Sequence, residues 1–524
     1  MRRWGGEGSL GREYIRVRAP ATLLTTLLVA LAAVPSAAAP QSAQVVLERW
    51  VVGFDPATGL PQDLGAILSD LGAVDAVAIT TADALAVTLP AGAIERLRQR
   101  EDVLAARPER RLELDLAESV PYIGADRAVL GVPETVTVEG PNGPEQVERP
   151  AVDGKGQVIA IVDTGVFAEH PGLAGQVVAQ RNFELAYAGE LLLTPEQLDT
   201  FAEATGPLAG PGDDVGHGTH VAGIVAGTGE GSAGRRNENR GVAPGARLVD
   251  LRISPQAHTT DNNVGWERNA LAAYDWLLRH HGDPEFGSAG IRVVNNSWGT
   301  GESTLDGEQL DYSPFATLLP AATQKGISVV FSAGNSGTSD NVTEDLLPTG
   351  HPDVITVAAG CKPGASSNGC QASFPDRKIA TFSSRGPAVD VTAPGVDIVS
   401  TVNPSSGAVL GQLSGNFSGQ EPQDEVINRA QYANFSGTSM SGPHVAGFVA
   451  LLLEADPTLT PFDVRFILGA TARDLLQPGR EIHSGWGMID ARAALIAAAR
   501  HAAGISLAEQ FPDFSYAPTL QDAS

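Results

Sequence analysis

Ser439 stands in the string Gly437-Thr438-Ser439-Met440-Ser441-Gly442-Pro443-His444, directly ahead of an apolar stretch from Val445 to Leu453. The pattern predicts a buried helix over Ser439–Glu454 with the serine at its mouth. Pro443 is expected in the first turn, where a missing N–H costs nothing. Unpaired backbone N–H groups and the helix dipole favour negative charge at such a place. An oxyanion forming beside a serine nucleophile would be stabilised there. The serine needs a base, and the base needs an orienting group. Asp163 closes the apolar run Val158-Ile159-Ala160-Ile161-Val162 and precedes Thr164-Gly165. His217 opens Gly216-His217-Gly218-Thr219-His220-Val221-Ala222-Gly223, a small-residue helix. Each residue alone has a plainer reading as a turn acid, a helix-start residue or a helix cap. Together, in the order Asp, His, Ser, they fit an acyl-transfer triad. His220 and His444 are read as packed, hydrogen-bonded helix residues, and Ser441 is not the nucleophile.

The elements that must hold these residues alternate along the chain. Strands are expected at Gln157–Val162, Arg247–Ile253, Arg292–Asn296, Ser328–Ser332 and Val354–Ala358. Helices are expected at His217–Gly227, Asn262–His281, Phe315–Lys325, Ser439–Glu454 and Pro461–Ala470. Short apolar strands between helices imply an α/β fold, a buried parallel sheet with helices on both faces. Asp163 then follows the carboxyl end of a strand, where open α/β sheets place their sites.

The motifs resemble those of the subtilisin-like serine peptidases, the subtilase family. Val162-Asp163-Thr164-Gly165, His217–Gly223 and Gly437–Gly447 carry the likeness, with Ser332-Ala333-Gly334-Asn335-Ser336-Gly337 as a fourth motif. Phe382–Pro387, Ala393-Pro394-Gly395 and Gly485-Trp486-Gly487 support it, and it covers roughly residues 120 to 500. The resemblance implies a subtilisin-like sheet and a secreted endopeptidase that needs no cofactor for its chemistry. It assigns Asp163, His217 and Ser439 to the triad and the Asn335 side-chain amide to the oxyanion. It makes Ser297-Trp298-Gly299 and Ser332-Ala333-Gly334 the walls of the substrate cleft, whose small residues suit apolar or aromatic P1 side chains. Trp298 has two readings, cleft rim and core packing. Calcium is common in the family and suits the acidity, but no EF-hand spacing is present and no ligands are assigned. A peptide-binding protein on a silent subtilase fold, or a serine esterase, are the readings to be excluded.

Residues 41–118 form a separate segment, read as strand, helix, strand, strand, helix, strand, a ferredoxin-like α+β pattern. Its place ahead of the enzyme body resembles the inhibitory, chaperone-like propeptide of subtilases, so the chain's own N-terminal part is an expected partner beside protein or peptide substrates. The junction is expected near Glu118–Tyr122. The catalytic domain is taken as 119–505, with a short tail at 506–524.

Residues 1–40 combine Arg2, Arg3, Arg12, Arg16 and Arg18 with an apolar run from Ala21 to Val34 and the small residues Ser36-Ala37-Ala38-Ala39. They read as a secretory signal peptide. As a membrane anchor, the run of about 14 residues is short. A secreted, extracellular or periplasmic location follows, with no membrane association once the signal is removed. Formal net charge is −26, which argues against nucleic acid or anionic membrane as a partner. Most of that acidity lies in the enzyme body. The two cysteines, Cys361 and Cys370, suit a short-loop disulfide in an oxidising compartment; two free thiols are the other reading. Two stretches, 184–214 and 361–434, read as surface insertions, more loop than specificity element.

Overall fold

The computed structural model describes residues 47–516 apart from 109–110, 115–131, 141–142, 185–191, 206–211, 231–238, 255–263, 300–303, 306–307, 310–312, 338–341, 343–346, 363–369, 371–378 and 407–430. The signal segment, the junction at 118–122 and parts of both insertions lie outside the described residues.

The N-terminal domain runs β1 (Leu47–Phe54), α1 (Leu64–Leu71), β2 (Asp75–Ile79), β3 (Ala84–Pro90), α2 (Ile94–Arg98) and β4 (Val103–Pro108). Its sheet has the order β2-β3-β1-β4, all antiparallel, which is the ferredoxin-like arrangement expected from the pattern. Alternation along the strands sends side chains to opposite faces. Val52, Phe54, Leu85, Val87 and Leu89 pack with Leu64, Leu68 and Leu71 of α1 and Ile94 and Leu97 of α2. Val51, Val77, Ile79, Ala84 and Ala86 face the other way and join the core of the body. The final stretch, Val103 to Leu114, expected to end in a strand, holds two. After β4, a separate strand β5 (Arg111–Leu114) enters a different sheet.

The body opens with β6 (Val158–Asp163) and β7 (Val177–Asn182), then β8 (Leu192–Leu193), α3 (Pro195–Thr205), α4 (His217–Ala226) and β9 (Arg247–Arg252). It continues with β10 (Val264–Trp266), α5 (Glu267–His280), β11 (Ile291–Asn296), β12 (Trp298–Gly299) and α6 (Phe315–Gln324). β13 (Ser328–Ser332), β14 (Val354–Gly360), β15 (Val391–Pro394) and α7 (Thr438–Ala455) follow. Seven strands form one parallel sheet in the order β15-β14-β13-β11-β6-β9-β7. β6 lies inside the sheet and is buried along its whole length, which is why its sequence is apolar from Val158 to Val162, up to the terminal Asp163. One apolar cluster, built on α4 and α7, fills one face of the sheet. A second, containing α5 and α6, fills the other.

Two expectations need correction. The long helix predicted from Asn262 begins at Glu267, because Val264–Trp266 is drawn into pairing with β5. The stretch 184–214, read as loop, contains β8 and α3. The signals for α3 are local: Thr194 and Gln197 form reciprocal backbone–side-chain bonds at 2.9 and 3.3 Å, and Pro195 takes the first helical position, as capping boxes favour. Cys361 and Cys370 are joined in a disulfide. Among the described residues, no helix is long and apolar enough to cross a membrane.

Candidate active site

Asp163 is the last residue of β6, and its carboxylate is fully buried. Its Oδ1 accepts from the Thr164 backbone N–H at 2.7 Å and meets His217 Nδ1 at 2.7 Å. His217, also fully buried, is the first residue of α4. The chain must turn sharply after Asp163 for the helix to come this close. Gly165 has φ +108°, and a Cβ on Gly218 would stand 2.2 Å from the Gly165 carbonyl oxygen and 3.1 Å from Asp163 Cβ. Only glycine at 218 lets the helix rest on the turn that carries the acid.

A residue that the motif reading passed over ties these parts together. Asp213 is fully buried, and five donors converge on its carboxylate. Thr164 Oγ1 and the N–H groups of Val215 and Gly216 reach Oδ1 at 2.9, 3.2 and 2.8 Å. The N–H and hydroxyl of Thr219 reach Oδ2 at 2.8 and 2.6 Å. Thr164 Oγ1 in turn accepts from Gly218 N–H at 2.8 Å. Asp213 thus satisfies donors at the start of α4 and holds that end against the residue after Asp163. Burial pushes its carboxyl above the usual range. An acid shortly before a helix start was the available signal.

Ser439 is the second residue of α7, a helix buried from Thr438 to Leu453. Pro443 lies one turn deeper than expected, at the sixth helical position. Lacking an N–H, it leaves the Ser439 carbonyl without its helical donor. Ser297 supplies the replacement: its Oγ donates to the Ser439 carbonyl at 2.9 Å and accepts from Asn295 Nδ2 at 3.0 Å. The Ser439 hydroxyl donates to the Ser297 carbonyl at 3.1 Å. The first helical N–H, that of Thr438, donates to Asn335 Oδ1 at 2.9 Å, and the Thr438 hydroxyl adds a bond at 3.1 Å. A backbone N–H can only donate, so the Asn335 oxygen is fixed inward and its NH₂ is the group left for the cleft. Gly334 N–H donates to Thr438 Oγ1 at 3.0 Å, while Ser332 and Ala333 are buried at the end of β13.

The side chain of Trp298 is core. It is fully buried, packs on Phe315 and Phe331, and donates Nε1–H to the Val162 carbonyl at 2.9 Å. Its backbone, with Gly299, instead forms β12 and pairs antiparallel with β5: Trp298 with Leu114, Gly299 with Glu113. On its other side β5 pairs antiparallel with β10, through Arg111 with Trp266, Leu112 with Gly265 and Glu113 with Val264.

A model of the subtilase family matches residues 154–487. The chain belongs to the subtilase family. Fervidolysin of Fervidobacterium pennivorans is 34% identical over 65% of this chain and 41% of its own length. Serine protease AprX of Bacillus subtilis (strain 168) is 32% identical over 60% of this chain and 61% of its own. The matched part thus spans less than two thirds of either relative. Subtilisin E of the same organism is 28% identical over 73% of this chain and 77% of its own. The crystal structure of fervidolysin shares the fold, with a TM-score of 0.57 at 24% identity over 87% of this chain and 62% of that one.

The other motif histidines of this subtilase are structural. His220 Nε2 lies 3.1 and 3.2 Å from the Ile398 and Ala433 carbonyls, with its ring stacked on Phe435. His444 Nδ1 meets the Met440 carbonyl at 2.7 Å. Burial lowers them to about 3 and about 4. Asp250, which accepts from Val166 N–H at 3.0 Å and Gln180 Nε2 at 3.1 Å, is pushed up to about 7 by burial. Among the described residues, no group of three or more His, Cys, Asp or Glu is placed to hold a metal ion.

Two outcomes are expected. Ser297→Ala strips the Ser439 carbonyl of its donor, at a cost of about 1–3 kcal/mol in urea unfolding; adding Pro443→Ala restores a helical N–H and recovers part of the loss. For the histidines, the unfolded chain takes up protons near pH 6.5 that folded His220 and His444 refuse. Their contribution to stability is therefore lost as pH falls from about 6.5 towards 4, whereas that of Asp250 is lost as pH rises from about 4 through 7. Nitrogen-15 NMR of both imidazoles should show neutral rings from pH 8 down to 5.

Proposed function

We infer that this subtilase is a secreted serine endopeptidase made as a self-inhibited precursor. The observation that carries the reading is the buried 2.7 Å pair of Asp163 and His217 at the C-terminal end of the parallel sheet, where the start of α7 presents Ser439. In this reading His217 takes the Ser439 proton as Oγ attacks a peptide carbonyl. Asp163 fixes the imidazole tautomer and stabilises the imidazolium. The Asn335 NH₂ and the Ser439 backbone N–H meet the oxyanion. Collapse expels the amine, which receives the proton from His217, and water then hydrolyses the acyl-enzyme. No cofactor is required, and no calcium ligands are assigned.

Three features support the precursor. β5 lies as the middle strand between β10 and β12, as an extended peptide added to two edges. Its direction is productive: it runs from Gly299 to Trp298 along its partner, and the next residue of that partner, Ser297, touches Ser439. The acyl part of a peptide must run towards the nucleophile in this way. Ser439 and His217 are both fully buried, as a blocked site requires. Residues 41–118 are then the inhibitory propeptide, removed by a cut shortly after Leu114, within 115–122. The domain of residues 119–505 is the mature enzyme. Residues 1–40 direct secretion, and protein or peptide chains are the substrates.

The intact precursor and its Ser439→Ala variant decide the matter. Wild type should yield a new N-terminus within 115–122 and hydrolyse casein; Ser439→Ala should stay full length and inert. Processing by the variant alone would overturn the self-cleavage. Asn335→Ala should lower casein turnover by about 10²–10³ and, because it also strips the buried Thr438 N–H of its acceptor, lower stability by about 1–3 kcal/mol in urea unfolding.

A further inference from the structure

The insertion that interrupts the body between β7 and α4 does not stand free in solvent. Leu192 and Leu193 pair in parallel with Ala76 and Val77 of β2, so the N-terminal sheet gains a fifth strand from the body. An exposed sheet edge is thereby closed. α3 follows directly and buries Leu198 (1% exposed) and Ala202 (0%) in the cluster that holds Val51, Val77, Ile79, Ala84 and Ala86 of the N-terminal domain. Phe201 packs against the same cluster. A charged relay runs alongside. Asp199 on α3 accepts from Arg279 Nη1 at 2.6 Å, and Arg279 Nε donates to Asp275 at 3.0 Å. Asp275 accepts from Thr80 Oγ1, Thr81 N–H and Thr81 Oγ1 at 3.2, 3.0 and 2.7 Å.

We propose that residues 192–205 are a clamp for the pro-segment: an interaction surface whose partner is the chain's own N-terminal domain, held after the connecting peptide is cut. Other polar contacts of that domain, Arg107 with Glu267 and Arg268 with Asp75 and Thr88, go to α5. The clamp adds backbone pairing on a separate edge and an apolar helix face. It makes dissociation slow, so that enzyme activity appears when the bound pro-segment is destroyed and not when it drifts away. The inhibitory half of this statement rests on the precursor reading above; the contact half does not.

Hydrogen exchange on the full chain carrying Ser439→Ala reads the contact without catalysis. Adding Leu198→Ala and Phe201→Ala should speed exchange of the β2 amides, Asp75–Ile79, by about tenfold or more, with β11 and β13 amides unchanged. Unchanged β2 exchange overturns the clamp. If β11 and β13 lose protection as well, the double variant has loosened the body, and Asp199→Ala, which spares the apolar face, takes its place with the same expected and overturning results. In the active chain the same substitutions should shorten the lag between cleavage and casein hydrolysis at least several-fold, with a pro-segment that separates from the body on size exclusion. Faster β2 exchange with an unaltered lag would keep the contact and overturn the inhibitory role.

Discussion

A helix buried from its first residue cannot leave its first turn to water, and α7, buried from Thr438 to Leu453, is such a helix. Its N-terminal donors and the carbonyl freed by Pro443 must each find a fixed partner inside the protein. Asn335 answers for Thr438, and Ser297 answers for Ser439. They are also the residues that the proposed acyl transfer needs close to the serine. Structural demand and proposed chemistry therefore coincide: the bonds that satisfy the helix start also hold the Asn335 amide and the Ser297 strand end around Ser439. Asn295 extends the same logic two residues back, holding the Ser297 hydroxyl from near the end of β11.

The acid–base half of the site is built on the same constraint. α4 starts against the end of β6, and its free N–H groups are taken up by Asp213. A buried carboxylate with five donors is costly to desolvate and useful only if every donor is aimed. It ties the turn after Asp163 to the turn before His217, so the 2.7 Å contact of Asp163 with His217 is set by groups outside that pair. The two halves meet where β6 lies beside β11, through the Trp298 indole on the Val162 carbonyl.

Much of this was legible in the sequence because it is local or periodic. The apolar runs of β6, β11, β13 and β14, the small-residue starts of α4 and α7, and the alternation in Ala84-Leu85-Ala86-Val87 all follow from burial and strand geometry. What escaped depends on distant partners. Whether Val264–Trp266 becomes helix or strand is decided by β5, a long way off in the chain. Trp298 could not be placed in core or rim without Phe331 and Phe315. Asp213 looked like one of many helix-start acids because four of its five donors are local, and the one that ties it to Asp163, Thr164 Oγ1, lies 49 residues away. α3 is the exception: its cap and apolar spacing were readable, and the acidic composition around it obscured them.

The N-terminal domain shows how burial on both faces turns a small domain into a subordinate one. One face of its sheet carries Val52, Phe54, Leu85 and Val87 onto its own helices. The other carries small side chains, Ala84 and Ala86 among them, that let α5 and the body approach closely. Apolar contact there supplies attraction with little direction. The buried bidentate pair of Arg107 with Glu267, at 2.7 Å for both bonds, adds direction instead. Such a pair contributes little net stability against an apolar substitute, yet misalignment would leave a buried charge alone. Glu267 begins α5, where the helix dipole favours an acid, so the guanidinium has one register in which to dock. Arg107 lies near the end of β4, and only two residues outside the described set separate that strand from β5. Fixing Arg107 therefore fixes where β5 enters between β10 and β12, and with it which residues are carried towards Ser439.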